Sequence, residues 1–436
     1  MKVKSKLFLL LTIFSLTSPI LSWTDHFFGT YYALTALPTI AEAKPVKAES
    51  LESFLNAESA NLKKLTDEIE ETVRKELEYY PPRPVDLSLN VEDKANLKIN
   101  FLRSLRINPT LKCNLFIQEL PTPANLKKKS IPVSMVSIFE DDEWMKEYVF
   151  TEIKEGSPVK PIDITATAAD EPDYGLDINL FTDSETAFGT EYSFGVLPFG
   201  NPKYYYSTQA PFHMGFYHES GIVYAAAAFV KQTYPEMRVI QFTTLARHAF
   251  KTGHDYWGYR FLGWAMHYIG DLTQPYHSTL VPGVSTGRLL WINTKAMIGF
   301  DGDKKETVER VSDRHTAIEH YQYDIMRKAI ESSDDESKFL KALTNRKKDN
   351  DFPTFDFRYV RQAVSLESHE RAGELDQIIE NSAEIMKFKE SEKNIQYTPN
   401  ETTQVVDDYL IGLFESFGSH MRKLAGEIAP KPVEKN

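Results

Sequence analysis

The chain has 436 residues, with 50 Lys and Arg against 62 Asp and Glu, a net charge of −12; this excludes a nucleic-acid binder that works through a broad cationic field. An apolar fraction of 42%, with 27 Phe and 22 Tyr, is enough to fill a large core and excludes global disorder. The single cysteine, Cys113, excludes an intramolecular disulfide and any multi-cysteine metal site, so a metal would have to be held by His and carboxylates.

Lys2, Lys4 and Lys6 precede an apolar run from Leu7 to Leu16, and Ile20-Leu21-Ser22 offers a small residue for cleavage. Residues 1–22 therefore read as an export signal that leaves Trp23 at the head of the mature chain. A second small-residue site stands at Ala41-Glu42-Ala43. The apolar run is short for a bilayer span, and no later stretch reaches about 18 apolar residues. The mature protein is expected to be exported and soluble, either secreted or periplasmic.

Glu49 to Tyr79 carries leucines and charges at helical spacing and stops before Pro81-Pro82. Val85 to Ala169, interrupted by Pro121, Pro123, Pro132 and Pro158, reads as an irregular insertion, and Asp173 to Tyr206 as loop. Helices are expected from Gly221 to Gln232, from Met237 to Thr252 and from Tyr256 to Gly270; the last is apolar on nearly every face and so central. After an expected loop from Gly283 to Lys304, helical spacing returns over Glu306 to Ser332, Asp335 to Lys347, Phe357 to Lys389 and Val405 to Glu427. Alternating strand patterns are missing. The fold class is all-α: one multi-helix domain over 23–436, with an insertion at about 85–169 and a helical extension at about 331–430.

The strongest chemical signal is His267-Tyr-Ile-Gly-Asp271 followed by Pro275-Tyr-His277. Four residues apart on a helix, His267 and Asp271 share a face and reach one cation, while the second carboxylate oxygen is available to bridge another. Pro275 turns the chain out of the helix, so that His277 points back from a loop. His315 and Glu319 repeat the four-residue spacing, and with His277 they form a three-ligand set that leaves room for water or substrate. A lone pair of this kind is more often a buried hydrogen bond than a ligand set. Two pairs plus His277, in a chain of 11 histidines, favour metal.

From Phe242-Thr-Thr-Leu-Ala-Arg247 through Gly263-Trp-Ala-Met-His267-Tyr-Ile-Gly-Asp271 to Pro275-Tyr-His277, the chain resembles the zinc-dependent phospholipase C and single-strand nuclease superfamily, in particular the alpha-toxin-type phospholipases C. The resemblance implies an all-helical phospholipase C/nuclease-like domain with three Zn2+ ions, and a mature N-terminal Trp whose amino and carbonyl groups bind metal, which is Trp23 here. It further implies His26 in Trp23-Thr24-Asp25-His26, and Asp173 in Glu171-Pro172-Asp173-Tyr174 as the metal-bound carboxylate facing the attacking water. The next histidine is either His213 or His218. By this correspondence Asp173, His213, His267 and Asp271 hold one zinc, Trp23, His26 and Asp271 a second, and His277, His315 and Glu319 the third. The 38 residues from His277 to His315 imply an inserted loop near the mouth of the site. Asp177 is a candidate partner behind Asp173, and Asp25 either orients His26 or is exposed. His248, His254, His320, His369 and His420 read as structural or surface residues.

The expected activity is hydrolysis of a phosphodiester by metal-activated water, with Asp173 as the catalytic carboxylate. Three dications would draw a phosphodiester into the site despite the acidic chain. The leading substrate is a phospholipid headgroup, with Glu319 and the missing cysteine pairs pointing away from the nucleases. Single-stranded nucleic acid, stacked on Tyr204-Tyr205-Tyr206, Phe212 and Phe216, is the alternative. An exported helical binding protein with a degenerate metal site is a third reading. Contact with a membrane surface is expected to be weak and reversible, through exposed aromatics of the insertion.

Overall fold

The computed structural model describes residues 26–139, 144–200, 204–390 and 400–431. Trp23, Asp25 and the export signal lie outside the described residues. Seventeen α-helices and four short strands are seen among the described residues, and the fold is all-α. In chain order the helices are α1 (His26–Thr35), α2 (Pro38–Ala41), α3 (Leu51–Glu76), α4 (Leu97–Ser104), α5 (Pro161–Asp170), α6 (Ala187–Glu191), α7 (Ala210–His213), α8 (Gly221–Ala226), α9 (Pro235–Thr252), α10 (Asp255–Thr273), α11 (Pro275–Ser278), α12 (Thr286–Met297), α13 (Gly302–Glu331), α14 (Lys338–Thr344), α15 (Leu366–Glu380), α16 (Ala383–Met386) and α17 (Glu401–Ile428). The strands β1 (Val46–Lys47) and β4 (Pro158–Val159) pair antiparallel, as do β2 (Phe116–Glu119) and β3 (Val149–Glu152).

Helix α10 is the axis of the molecule and is buried without a break from Tyr256 to Thr273. Its side chains are apolar or aromatic all round, so burial against several neighbours is the only arrangement that removes them from water. Helices α9, α5, α1 and α17 pack around it. Two glycines seven residues apart let the neighbours come close. A Cβ on Gly263 would stand 2.4 Å from the carbonyl oxygen of Thr165 on α5, and one on Gly270 would stand 2.5 Å from Nδ1 of His26 on α1. Close backbone approach at this face therefore requires the missing side chain.

Helix α17 begins with a reciprocal cap, in which Asn400 Oδ1 accepts from the Thr403 amide at 3.0 Å and Thr403 Oγ1 accepts from the Asn400 amide at 2.8 Å. It closes over α1 and α14. Phe417 lies against Gly29, and the buried Arg422 donates to the carbonyls of Ala33 (3.3 Å) and Leu343 (2.7 Å) and to both Asp349 oxygens.

Several segments differ from the sequence expectation: the helix expected from Phe357 to Lys389 is divided into a π-helical turn, Val360–Ser365, α15 and α16, and the expected loop from Asp173 to Tyr206 contains the short α6. The stretch expected to be irregular to Ala169 ends in a buried helix, α5, because Pro161 sits at the first helical position, where its missing N–H is no loss. The stretch from Gly283 to Lys304, expected to be loop, contains α12, capped by Ser285, whose side chain accepts from the Arg288 amide. The helix expected from Gly221 to Gln232 breaks at Ala227 into α8 and a 3-10 turn, Ala228–Lys231.

Candidate metal centre

The i, i+4 pair His267 and Asp271 projects from the last two turns of α10, and both side chains are fully buried. Asp271 is the hub. Its Oδ1 lies 3.3 Å from His26 Nε2 and 3.4 Å from His277 Nδ1, and its Oδ2 lies 2.9 Å from His213 Nδ1 and 3.3 Å from His267 Nε2. Four imidazoles from α1, α7, α10 and α11 thus converge on one carboxylate.

Each donor is placed by local structure. Helix α5 runs into a 3-10 turn, Glu171–Tyr174, which carries Asp173 and is closed by Gly175 at φ +118°. Glu171 anchors this turn by accepting from Arg260 Nε at 3.0 Å and from Trp264 Nε1 at 2.8 Å. Asp170 accepts from the Phe27 amide at 2.8 Å, which pins the first turn of α1, and with it His26, onto α5. His213 ends α7. Gln274 is extended after α10, and Pro275 opens the single turn α11, so His277 returns towards Asp271 from a short helix rather than from a loop. His315 and Glu319 stand on α13, with His315 Nε2 2.8 Å and His277 Nε2 3.3 Å from the same Glu319 oxygen.

Three sets of donor atoms are mutually close enough to hold a cation: His26, His267 and Asp271; Asp173, His213 and His267; and His277, His315 and Glu319. The structure thus brings eight of the nine sequence-identified candidates together, and Trp23 lies outside the described residues. Of the two alternatives it places His213 at the centre. His218 points elsewhere, with its Nε2 2.9 Å from the carbonyl of Arg361.

The hydrogen bonds around the imidazoles show that these residues suit a cation. His267 Nδ1 donates to the carbonyl of Ala169 at 2.7 Å and His277 Nδ1 to that of His213 at 3.0 Å. A carbonyl only accepts, so in the neutral rings both Nε2 atoms carry lone pairs. The His267 lone pair faces His213 Nδ1 at 2.9 Å beside Asp271, and the His277 lone pair faces Glu319 at 3.3 Å. Glu319 Oε2 is buried and has no hydrogen-bond partner among the described residues. Such contacts between electron pairs need a proton or a metal ion between them.

The electrostatics point the same way. Burial disfavours a charge on His213, but Asp271, Asp177 and Asp173 outweigh it and push its pKa up to about 10. Burial, reinforced by His267, drives His26 down to about 3, so it stays a neutral imidazole of the kind that ligates metal. Burial raises and the surrounding imidazoles lower the Asp271 carboxyl; the imidazoles win, and it is held well below the usual range. Asp173 is the most exposed of the eight, at 7%.

Some surrounding residues depart from the sequence reading. Asp177, the candidate partner close to Asp173 in sequence, supports the site through His213. It accepts from Arg238 Nε at 2.9 Å and from the Tyr268 hydroxyl, and it lies 3.6 Å from His213 Nε2. A further partner of Asp173 is Gln209, whose Nε2 donates at 3.1 Å; only the chain fold brings them together, and no spacing signals it. His420, read as lying in polar surroundings, is fully buried against Phe352 and takes part in a 2.7 Å hydrogen bond with the Tyr359 hydroxyl. His248 pairs with Glu58 and His254 with Glu49, each at 2.8 Å.

No family model and no curated protein matches the chain. Among solved structures, the alpha-toxin of Clostridium perfringens from avian strain SWCP aligns with 62% of this chain at 19% identity and a TM-score of 0.21. The alignment covers 55% of that protein, so the chain spans about half its length.

Proposed function

We propose that this chain is an exported, zinc-dependent phosphodiester hydrolase whose substrate is a phospholipid headgroup diester. The observation that carries the reading is the buried Asp271 carboxylate, with two imidazoles at each oxygen and a third acid, Glu319, gathered on His277 and His315. Zinc bound in such a cluster would lower the pKa of a shared water towards about 7 and stabilise charge on the phosphoryl oxygens.

The chain's own residues divide the remaining work. The Ala169 and His213 carbonyls fix the tautomers of His267 and His277, so both rings present lone pairs inwards. Asp173, the most open of the acids and steadied by Gln209, is placed to orient the attacking water and accept its proton. Trp23 follows the proposed cleavage site and precedes His26 by three positions, so its amine would join the His26 side of Asp271.

The phospholipid reading is favoured over nucleic acid by the aromatic inventory. Tyr206, Phe212 and Phe216 are buried in the core and unavailable for stacking on bases, and Tyr204 and Tyr205 alone of that group are exposed. The test is elemental analysis and N-terminal sequencing of the mature protein, together with hydrolysis of phosphatidylcholine and of single-stranded DNA. Zinc in stoichiometric amount, an N-terminal Trp and release of phosphocholine are expected. Turnover of DNA alone would move the assignment to a nuclease, and bound zinc without turnover would leave a binding protein.

A further inference from the structure

Helices α12 and α13 form a helical hairpin between His277 and His315, and its turn is the most apolar exposed feature among the described residues. Met297, Ile298 and Phe300 are 64%, 69% and 66% exposed, with Trp291 at 55% on the preceding helix and Ile222 at 56% on α8, which packs against α12. Side chains of this size are usually withdrawn from water, and several together on one element mark a contact surface. Behind them an apolar groove with about 690 Å³ of empty volume runs between α8, α12 and α13, lined by Val223, Ala226, Leu290, Ile292 and Val308.

We infer that this hairpin turn is a lipid-docking device that enters the interfacial layer of a phospholipid bilayer and seats the metal centre over the membrane. Three observations choose a bilayer over a protein partner. The apolar residues form a protruding turn of four residues, Met297-Ile298-Gly299-Phe300, rather than a broad face, so they offer a protein little area but enter lipid readily. The hairpin carries none of the chain's excess negative charge: from 286 to 331 eight Lys and Arg stand against eight Asp and Glu, a net of zero on a chain of −12, so a phospholipid surface does not repel it. Trp291 stands behind the tip on α12, so the apolar tip is followed by the amphipathic ring that an interface selects, while Arg288 and Lys295 are paired with Asp303 at 3.5 and 2.8 Å. The inference rests on the proposed phospholipid substrate for its purpose, because the hairpin begins after His277 and returns to His315 and so ties the docked turn covalently to the third donor set. It also relocates the membrane contact expected from the 85–169 insertion, where the exposed bulky residues Val85, Ile99, Leu126 and Met135 are scattered singly along the chain.

The test uses the full-length mature protein after treatment with a chelator, and vesicles of 1-palmitoyl-2-oleoyl phosphatidylcholine and phosphatidylglycerol. Vesicle co-sedimentation is compared between the parent and a variant carrying Ile298→Asp and Phe300→Asp. Tryptophan quenching by brominated acyl chains is read in the parent and in Trp291→Phe. Binding of the parent, a loss of at least about tenfold in the double variant, and quenching that disappears in Trp291→Phe are expected. Equal binding by parent and double variant would overturn the inference, as would quenching unchanged in Trp291→Phe. A parent dimer in sedimentation velocity that the double variant abolishes would also overturn it, assigning the surface to a second copy. Failure of the functional reading is separable when hydrolysis is assayed with untreated protein supplied with zinc: vesicle binding by the chelated protein with no hydrolysis of any phosphodiester by the zinc-loaded one upholds the docking turn and sinks the enzyme, whereas hydrolysis of a water-soluble diester without vesicle binding does the reverse.

Discussion

At Asp271 a single fully buried carboxylate meets four imidazoles. Substituting Asn keeps the shape but removes the charge and one acceptor. Asp271→Asn is therefore expected to lose at least one zinc per chain by elemental analysis and to lower turnover by about a thousandfold or more; full metal content and activity in that variant would remove the bridge. The choice between His213 and His218 is tested in the same way. His213→Ala is expected to lose metal and at least about a hundredfold in turnover, and His218→Ala, whose ring contacts the Arg361 carbonyl and the His369 ring, is expected to keep both. The His267/Asp271 and His315/Glu319 pairs were legible because a four-residue spacing on a helix becomes proximity without any knowledge of the fold. Gln209 and Glu171 were not legible, because their partners Asp173, Arg260 and Trp264 are brought to them by chain crossings of 36 to 93 residues.

Among the elements, α10 announces itself through apolar and aromatic residues on nearly every face, while its buried Arg260, His267 and Asp271 are compensated by partners from other elements. Helix α5 is hidden behind Pro161, which reads as a breaker although proline suits the first turn, and behind a run of Thr and Ala with little periodicity. Helix α12 is hidden because Gly283 precedes it, Gly287 stands at its second position, and its apolar residues stay largely outside the core. The contact between α5 and α10 depends on Gly263. Gly263→Ala would place a methyl 2.4 Å from the Thr165 carbonyl oxygen, an approach that two packed backbones cannot relieve by a rotamer change. It is expected to lower stability by about 1–3 kcal/mol in urea titration; a variant as stable as the parent would show that α5 shifts freely against α10.

Across the whole molecule, stability is expected to respond both to cation removal and to acid. Removing metal would leave facing lone pairs and carboxylates in the core, so a chelator is expected to lower the unfolding temperature by several degrees in calorimetry, through loss of ligand-linked stability. An unchanged transition would argue against a metal centre. The acid limb belongs in part to Asp349, which accepts from Arg422 at 2.8 Å and from Ser419 at 2.9 Å. Burial raises its pKa, but Arg422 outweighs burial and holds the carboxyl below its ordinary value. The folded chain then binds fewer protons than the unfolded one in acid. The contribution is complete above the ordinary carboxylate pKa of about 4 and is lost as pH falls through the folded value. Asp349→Asn is expected to be less stable by about 1–3 kcal/mol at neutral pH and to show a flatter decline of stability below about pH 4, read by urea titration at several pH values.

Helix α17 covers α1 through Phe417 on Gly29, Met421 on Thr30 and Arg422 on the Ala33 carbonyl. The helix that begins at His26 is therefore held by residues almost 400 positions further along the chain. Without those contacts the first helix loses its outer cover, so a chain truncated before Phe417 is expected to hold His26 less firmly against Asp271, read as a weakened affinity for added zinc.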